Sequence, residues 1–473
     1  MVYNSFLFIV VFPVIFFLYY LIPARLKNWR NVFLLITSYA LYISWKPICV
    51  FILLGVTLIT YYGGLIIEKQ GDDNKRKTRI LWVFSLLSLL PLIIFKYYNF
   101  LNSSIADILT LIGIQFHIAG LNWAIPVGIS FFTFQSVGYI FDVYNRRIKA
   151  EYNFLEYALF ISFFPSILSG PINKASLVLP QIKNLRAYFD YDKAVEGLKY
   201  LLWGMFMKVV VADRVALYVD MVFPSYNSYS GLTCFVASLF YTIQIYADFA
   251  GYSLMALGVG KVLGFELTEN FRRPYFAVSV TDFWRRWHIS LSTWLKDYVY
   301  IPLGGSRCSK LRNYWNIFVT FLVSGIWHGA NWTFIVWGIW HGLFQIIEKA
   351  IGQQKCEYGW FGRALKILIT FLLVNFAWIF FRMPSIEDAC LFIQRIFDFN
   401  LPITLEVIPN LPFTIGGLLI LLFKDLRDEC FSDRFSLLNN KNRMIRWISY
   451  IVILVIIVTS GVLGSDQFIY ANF

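Results

Sequence analysis

The chain has 473 residues, of which 58% are hydrophobic, 19% aromatic and only 15% charged, and its mean hydropathy is +0.62. Soluble domains carry roughly 25% charged residues, so this composition excludes an ordinary cytosolic enzyme and indicates a multi-pass membrane protein. In that class the net charge of +13 belongs to loops that fix topology and meet anionic headgroups, not to a nucleic-acid surface.

The first stretch, "MVYNSFLFIVVFPVIFFLYYLIPARLK", has no basic leader and no small-x-small cleavage site, and it reads as a span over 6–22. Further apolar runs fall at 50–67, 80–95, around 371–381 and at 447–463. Together with shorter or broken segments they predict about ten to twelve spans. Basic loops at 68–79, 146–149, 174–186, 307–312 and 424–446 separate them. No polar stretch is long enough for a soluble domain, so residues 1–473 are expected to form a single membrane-embedded domain. No repeat of one half in the other is evident, which argues against a secondary transporter. Six scattered cysteines without a CxxC pair argue against a disulfide framework or a metal site. Phosphate-loop, dinucleotide and serine-elbow signatures are missing, and no bound cofactor is expected.

Buried polar groups come next along the chain. Gln135 and Asp142 in "SFFTFQSVGYIFDVYNRR" and Asp248 in "YTIQIYADFAGYSLMALG" are candidates for substrate binding, or for bonds across helices. His117, in "GIQFHIAGLNW", reads as ordinary. The segment 279–307, "SVTDFWRRWHISLSTWLKDYVYIPLGGSR", is the most informative element that does not span. Set on one helix, Trp284, Trp287, His288, Leu291, Trp294, Leu295 and Tyr298 share a face, and Arg285, Arg286, Lys296 and Asp297 take the other. Ser279 or Thr281 can cap its start, and Pro302 with the following glycines ends it. Its charges forbid a lipid-facing span, so an interfacial or re-entrant element is expected. Arg285 and Arg286 then face headgroups, or clamp the phosphates of an anionic donor.

Residues 313–347 are 35 consecutive uncharged positions that contain Gly-Ile-Trp-His-Gly twice. A straight helix of that length would be roughly 50 Å long against a hydrocarbon core of about 30 Å. The tract must therefore tilt or break, most naturally at Gly325 or Gly329. His328 lies 16 residues from Arg312 and 20 from Glu348, whereas His341 lies 7 from Glu348. Ionisable groups at mid-membrane are functional by default, which selects His328 as a neutral proton acceptor and leaves His341 a packing role. On a continuous helix the two rings would be about 20 Å apart and could not share a site. The pairs Gly325/Gly329 and Gly338/Gly342 predict close helix approach in either case.

The run "NFRRPYFAVSVTDFWRRWHISLSTWLKDYVYIPLGGSR" followed by "SGIWHGANWTFIVWGIWHGLF" resembles the core of the membrane-bound O-acyltransferase (MBOAT) family. The likeness is to the branch that acetylates alginate and peptidoglycan, and it continues through "VGISFFTFQSVGYIFDVYNRRI", "FISFFPSILSGPI", "YADFAGYS", "NFAWIFFRMPS" and the closing "QFIYANF". It implies an all-α polytopic bundle, with re-entrant or interfacial helices around a central tunnel, in the cell membrane. His328 matches the family's signature catalytic histidine and His288 its second essential position. One block departs: Leu254 stands where the family carries an acidic side chain, at a position expected to border the substrate path.

The resemblance implies transfer of an acetyl group from acetyl-CoA, as a cytoplasmic thioester, to hydroxyls of an extracytoplasmic glycan. A partner acetyltransferase of the SGNH-hydrolase type can complete the transfer. His328 is expected to act as base, and His288 to orient it or stabilise the oxyanion, with Trp327, Asn331 or backbone donors assisting. Trp327, Asn331, Asp248, Gln135 and Arg285 are the substrate-binding candidates. Competing readings are D-alanyl transfer to teichoic acid, a flippase for lipid-linked glycans, and a scaffold in which the Trp-His-Gly motifs only pack helices.

Overall fold

The computed structural model describes residues 3–71, 73–115, 118–167, 170–184, 188–352, 359–398, 404–431 and 438–462. His117 and the closing block at 467–473 lie outside them. The described residues form helices joined by turns and loops and contain no strand, as the apolar 3.6-residue patterning requires once every backbone N–H must be satisfied without water.

The apolar runs become helices close to their expected bounds: Phe6–Leu21, Cys49–Lys69, Asn74–Leu92, Trp360–Arg382 and Arg443–Ser460. Among the described residues, five helical stretches are long and apolar enough to cross a membrane: Cys49–Lys69, Asn74–Leu111, Gly231–Val262, Trp360–Arg382 and Arg443–Ser460. Phe51, Trp82, Leu368 and Val458 lie exposed on such helices, which is the arrangement a lipid solvent favours.

Two compact units divide the chain. The first comprises Leu7–Ala194 with Gly260–Thr268. Its core is tied by polar bonds inside apolar packing, such as Tyr157 Oη donating to Thr60 Oγ1 at 2.7 Å and Tyr61 Oη donating to the Tyr152 carbonyl at 2.7 Å.

The second unit comprises Val2–Phe6, Val195–Val259 and Glu269–Phe473 and holds the histidine motifs. Its uncharged tract breaks where glycine permits: the helix Lys310–His328 stops, and Trp332–Ala350 begins after Gly329 and the capping residue Asn331. The two helices form a tight hairpin. The Cα atoms of Gly325 and Gly338 are so close that a Cβ on Gly325 would lie 2.4 Å from the Phe334 carbonyl, and one on Gly338 would lie 2.5 Å from the Phe321 carbonyl. Gly325, Gly338 and Gly342 thus do what small residues at a membrane helix interface do, while Gly329 serves the turn.

The segment expected as one helix over 279–307 is two. Val280–Arg286 is capped by Ser279, whose side chain accepts the Asp282 N–H, and Ile289–Leu295 follows a break at Trp287 and His288. The predicted inner face survives the break, since Trp284, Trp287, His288, Leu291, Trp294, Leu295 and Tyr298 are all buried. The charged end of the tract closes back on this element: the Glu348 carboxylate accepts the N–H groups of Val280 (2.5 Å) and Thr281 (2.9 Å) and the Thr281 hydroxyl (2.8 Å). An anion there satisfies orphan donors and meets the positive end of the helix.

Candidate functional site

His288 owes its place to a turn with no glycine in it. Trp287 leaves the first short helix in extended conformation, and His288 takes the left-handed region at φ 43°, ψ 53° before the second begins. Such a backbone costs a β-carbon-bearing residue about 1 kcal/mol, and it is held only where the surroundings over-determine it. Here the Ile289 N–H donates to the Asn270 carbonyl at 2.9 Å. The imidazole is fully buried and lies edge-on to Phe249 at 4.7 Å between centroids.

His328 is the last residue of the first hairpin helix and is 2% exposed. Four rings surround it: Trp337 at 4.8 Å, Trp327 at 4.9 Å, Phe381 at 5.3 Å and His288 at 6.5 Å between centroids. Trp327 also meets His288 at 5.8 Å, so one indole bridges the two imidazoles. Gly329 must be glycine for this turn, because a Cβ there would fall 2.0 Å from the Phe334 ring. The structure therefore brings His288, His328 and Trp327 together.

The hairpin changes the relation between the two tract histidines. A single ring, Trp337, touches His328 at 4.8 Å and His341 at 4.9 Å, far inside the spacing that a continuous helix imposes. The separation expected above fails because the helix turns back at Gly329. His341 is fully buried against Trp284 at 5.2 Å and stacks on Phe283 at 6.2 Å. It shares Trp337 with His328.

The remaining candidates are engaged in bonds of their own. Asn331 caps its helix by accepting the Thr333 N–H (3.0 Å) and donates to the Pro384 carbonyl (2.7 Å), so both ends of its amide are used. Asp248 lies 2.7 Å from the Lys208 ammonium, which pairs equally with Asp213 at 2.7 Å. All three side chains are 5% exposed or less. In the first unit, Gln135 donates to the Phe160 carbonyl at 2.6 Å, and Asp142 pairs with Arg147 at 3.2 Å. Each of these four side chains thus holds structural bonds of its own.

Arg285 and Arg286 part company. Arg286 joins Arg273 and Arg363 on one carboxylate, Glu429, at 2.9–3.2 Å. Arg285 is exposed and lines a cavity of about 470 Å³ with Lys296, Ser292, Thr293, Ile289 and Trp284. A second, narrow cavity of about 40 Å³ is walled by Ser253, Leu254, Asn270, Arg273 and Asp425. The residue after His288 sits in the wall of one cavity, and Asn270, bonded to His288, sits in the wall of the other. Leu254 borders the narrow cavity.

Sequence reasoning missed Asn270. Its Oδ1 lies 3.0 Å from His288 Nδ1 and accepts from the Ser290 N–H (3.2 Å) and Ser290 Oγ (2.9 Å). The residue opens the quoted "NFRRPY" block, and its signal was only that a buried asparagine must find partners.

Residues 127–386 match the model of the membrane-bound O-acyltransferase family. The chain is 40% identical over 401 residues to the probable alginate O-acetylase AlgI of Pseudomonas aeruginosa, covering 85% of this chain and 75% of that one. It is 36% identical over 419 residues to the peptidoglycan O-acetyltransferase of Helicobacter pylori, covering 82% and 78%. To the teichoic acid D-alanyltransferase of Bacillus subtilis it is 27% identical over 345 residues, covering 69% and 82%.

Proposed function

The chain belongs to the membrane-bound O-acyltransferase family, and from that premise we propose that it O-acetylates an extracytoplasmic polysaccharide, with the reaction run at the His288–His328 pair. It is a multi-pass membrane O-acyltransferase. The observation that carries the reading is the meeting of the two motif histidines around Trp327, at a break in each of two elements.

The chemistry follows from that meeting. An acceptor hydroxyl attacks the carbonyl of an acetyl thioester. Its proton passes to an imidazole nitrogen of His328, the C–O bond forms and the C–S bond breaks. The thiolate leaves and recovers the proton. General-base help of this kind contributes typically 10²–10⁴-fold. Burial excludes water that would hydrolyse the thioester. The cavity beside Arg285 and Lys296 suits the donor side, because acetyl-CoA carries phosphates that two exposed cations attract. The narrow cavity past Leu254 and Asn270 suits the acceptor side. Residence in the cytoplasmic membrane, and an SGNH-type partner that finishes the transfer outside, belong to the same proposal.

The test is base-labile acetate released from purified surface glycan. Wild type, a deletion, and the deletion complemented with His328→Gln or His341→Gln are compared at matched membrane abundance. Loss in the deletion and with His328→Gln, with retention in His341→Gln, supports the reading. Acetate that survives in the deletion ends the acetyl assignment for that glycan, and ester-linked D-alanine is then measured instead. Loss in the deletion alone removes His328 from the mechanism and favours transport or scaffolding.

A further inference from the structure

We infer that Asn270 is the positioning residue of the site: it fixes the ring hydrogen of His288 on Nδ1, so His288 works as a proton acceptor through Nε2 and not as an oxyanion donor. This rests on the acyl-transfer reading above for its role, though not for its geometry.

The argument begins with a group whose character is not open to choice. The backbone N–H of Ser290 can only donate, and it points at the Asn270 side chain at 3.2 Å. The atom it meets must therefore be the amide oxygen, since the flipped amide would set two donors against each other. With the orientation settled, Asn270 Nδ2 donates to Ser253 Oγ at 3.1 Å, and Oδ1 faces His288 Nδ1 at 3.0 Å. An oxygen acceptor at that distance requires a hydrogen on Nδ1. In a neutral imidazole the lone pair then resides on Nε2.

The surroundings leave little freedom to reverse this. Asn270 and His288 are 0% exposed, Ser253 2% and Ser290 3%. The backbone of Asn270 holds the next residue of the turn as well, through its carbonyl and the Ile289 N–H. One asparagine thus sets both the left-handed turn that delivers the ring and the tautomer of the ring. His328 faces His288 at 6.5 Å between ring centroids.

A neutral His288 held this way offers an acceptor, so it can take a hydrogen bond from His328 or from the acceptor hydroxyl. To stabilise an oxyanion it would first have to become a buried imidazolium, which the low dielectric disfavours. The oxyanion donor must come from elsewhere. A histidine whose other nitrogen is bonded to a side-chain oxygen is a recurrent way to fix tautomer and orientation.

The first arm of the test needs no activity. The full chain, 15N-labelled at its four histidines, is reconstituted in nanodiscs at neutral pH and its ring-nitrogen spectra are recorded. The His288 signals are those lost in His288→Gln. The expected spectrum has Nδ1 protonated and Nε2 bare, and a protonated Nε2 with a bare Nδ1 overturns the inference. The second arm is kinetic, with acetyl-CoA as donor and acetate release as readout. Asn270→Leu should lower kcat by about 10²-fold or more with the donor KM unchanged. Asn270→Asp keeps the acceptor oxygens and should recover most of kcat, and its carboxylate should move the acidic limb of the kcat profile to higher pH by favouring the imidazolium. An Asn270→Asp variant of wild-type thermal midpoint with an unmoved limb reduces Asn270 to packing and overturns the positioning role. If the Nδ1-protonated spectrum is found while Asn270 and His288 variants keep full activity, the geometry stands and the acyl-transfer reading of this site fails.

Discussion

Trp327 packs against both His288 and His328, at 5.8 and 4.9 Å from their ring centroids, while the two imidazoles stand 6.5 Å apart, so the three rings close one triangle. Groups that act as one unit lose function non-additively. His288→Gln and His328→Gln should each lower acetate release by about 10²–10⁴-fold. The double variant should be little worse than the poorer single one. Multiplicative losses, measured as kcat on purified protein, would mean two independent roles.

The hairpin depends on two glycines that meet backbone. Gly338→Ala places its Cβ 2.5 Å from the Phe321 carbonyl. Overpacking of this kind costs about 1–3 kcal/mol, read as a lower thermal midpoint in detergent. Gly416 has no atom within 4 Å of an added Cβ, so Gly416→Ala should hold or raise the midpoint.

Lys208 carries two aspartates in a dry interior. Lys208→Met leaves Asp213 and Asp248 without that cation. Breaking a buried pair this way costs about 3–5 kcal/mol, and folded yield should collapse. Adding Asp213→Asn and Asp248→Asn to the same chain should restore much of it. A triple variant no better than the single one would show that the charges matter for more than each other.

Glu348 accepts three hydrogen bonds at the start of the helix that leads to His288. Glu348→Gln keeps the shape but removes the charge, and about 1–2 kcal/mol of stability should go with it. The midpoint should fall while the donor KM stays put. A raised KM with an intact midpoint would place Glu348 in substrate binding instead.

Glu429 gathers Arg273, Arg286 and Arg363. Burial alone would raise its carboxyl, but the hydrogen bonds and charges of Arg286 and Arg273 outweigh it and hold the group below its usual value. A depressed carboxylate stabilises the fold at neutral pH, and that contribution fades as pH falls below the ordinary glutamate range of about 4.3. The midpoint difference between wild type and Glu429→Gln should therefore be full at pH 7 and shrink toward pH 4. A gap independent of pH would rule this ion cluster out as its source.

What the sequence made legible was whatever a period or a forbidden environment encodes. Apolar runs located the helices, closely for Phe6–Leu21 and Cys49–Lys69 and less so for the start of Trp360–Arg382, and the 35-residue uncharged tract had to tilt or break because a straight helix overshoots the bilayer. The consequence of the break was not legible: only the folded hairpin sets Trp337 against both His328 and His341. The turn at His288 was hidden because a left-handed residue that is neither glycine nor asparagine leaves no mark in the sequence. Asp248 looked like a site residue because its partner, Lys208, stands 40 positions away in another element. Asn270 went unnoticed for the same reason, being 18 positions from the ring it holds.

The backbone at His288 has a further consequence for anyone who evolves or stabilises this enzyme. Glycine would sit at φ 43° without strain, so the substitution that most relaxes this turn also deletes a motif histidine. A screen that rewards heat resistance alone would drift toward a sturdier protein with an empty centre. Selection on acetate release has to be applied in the same round.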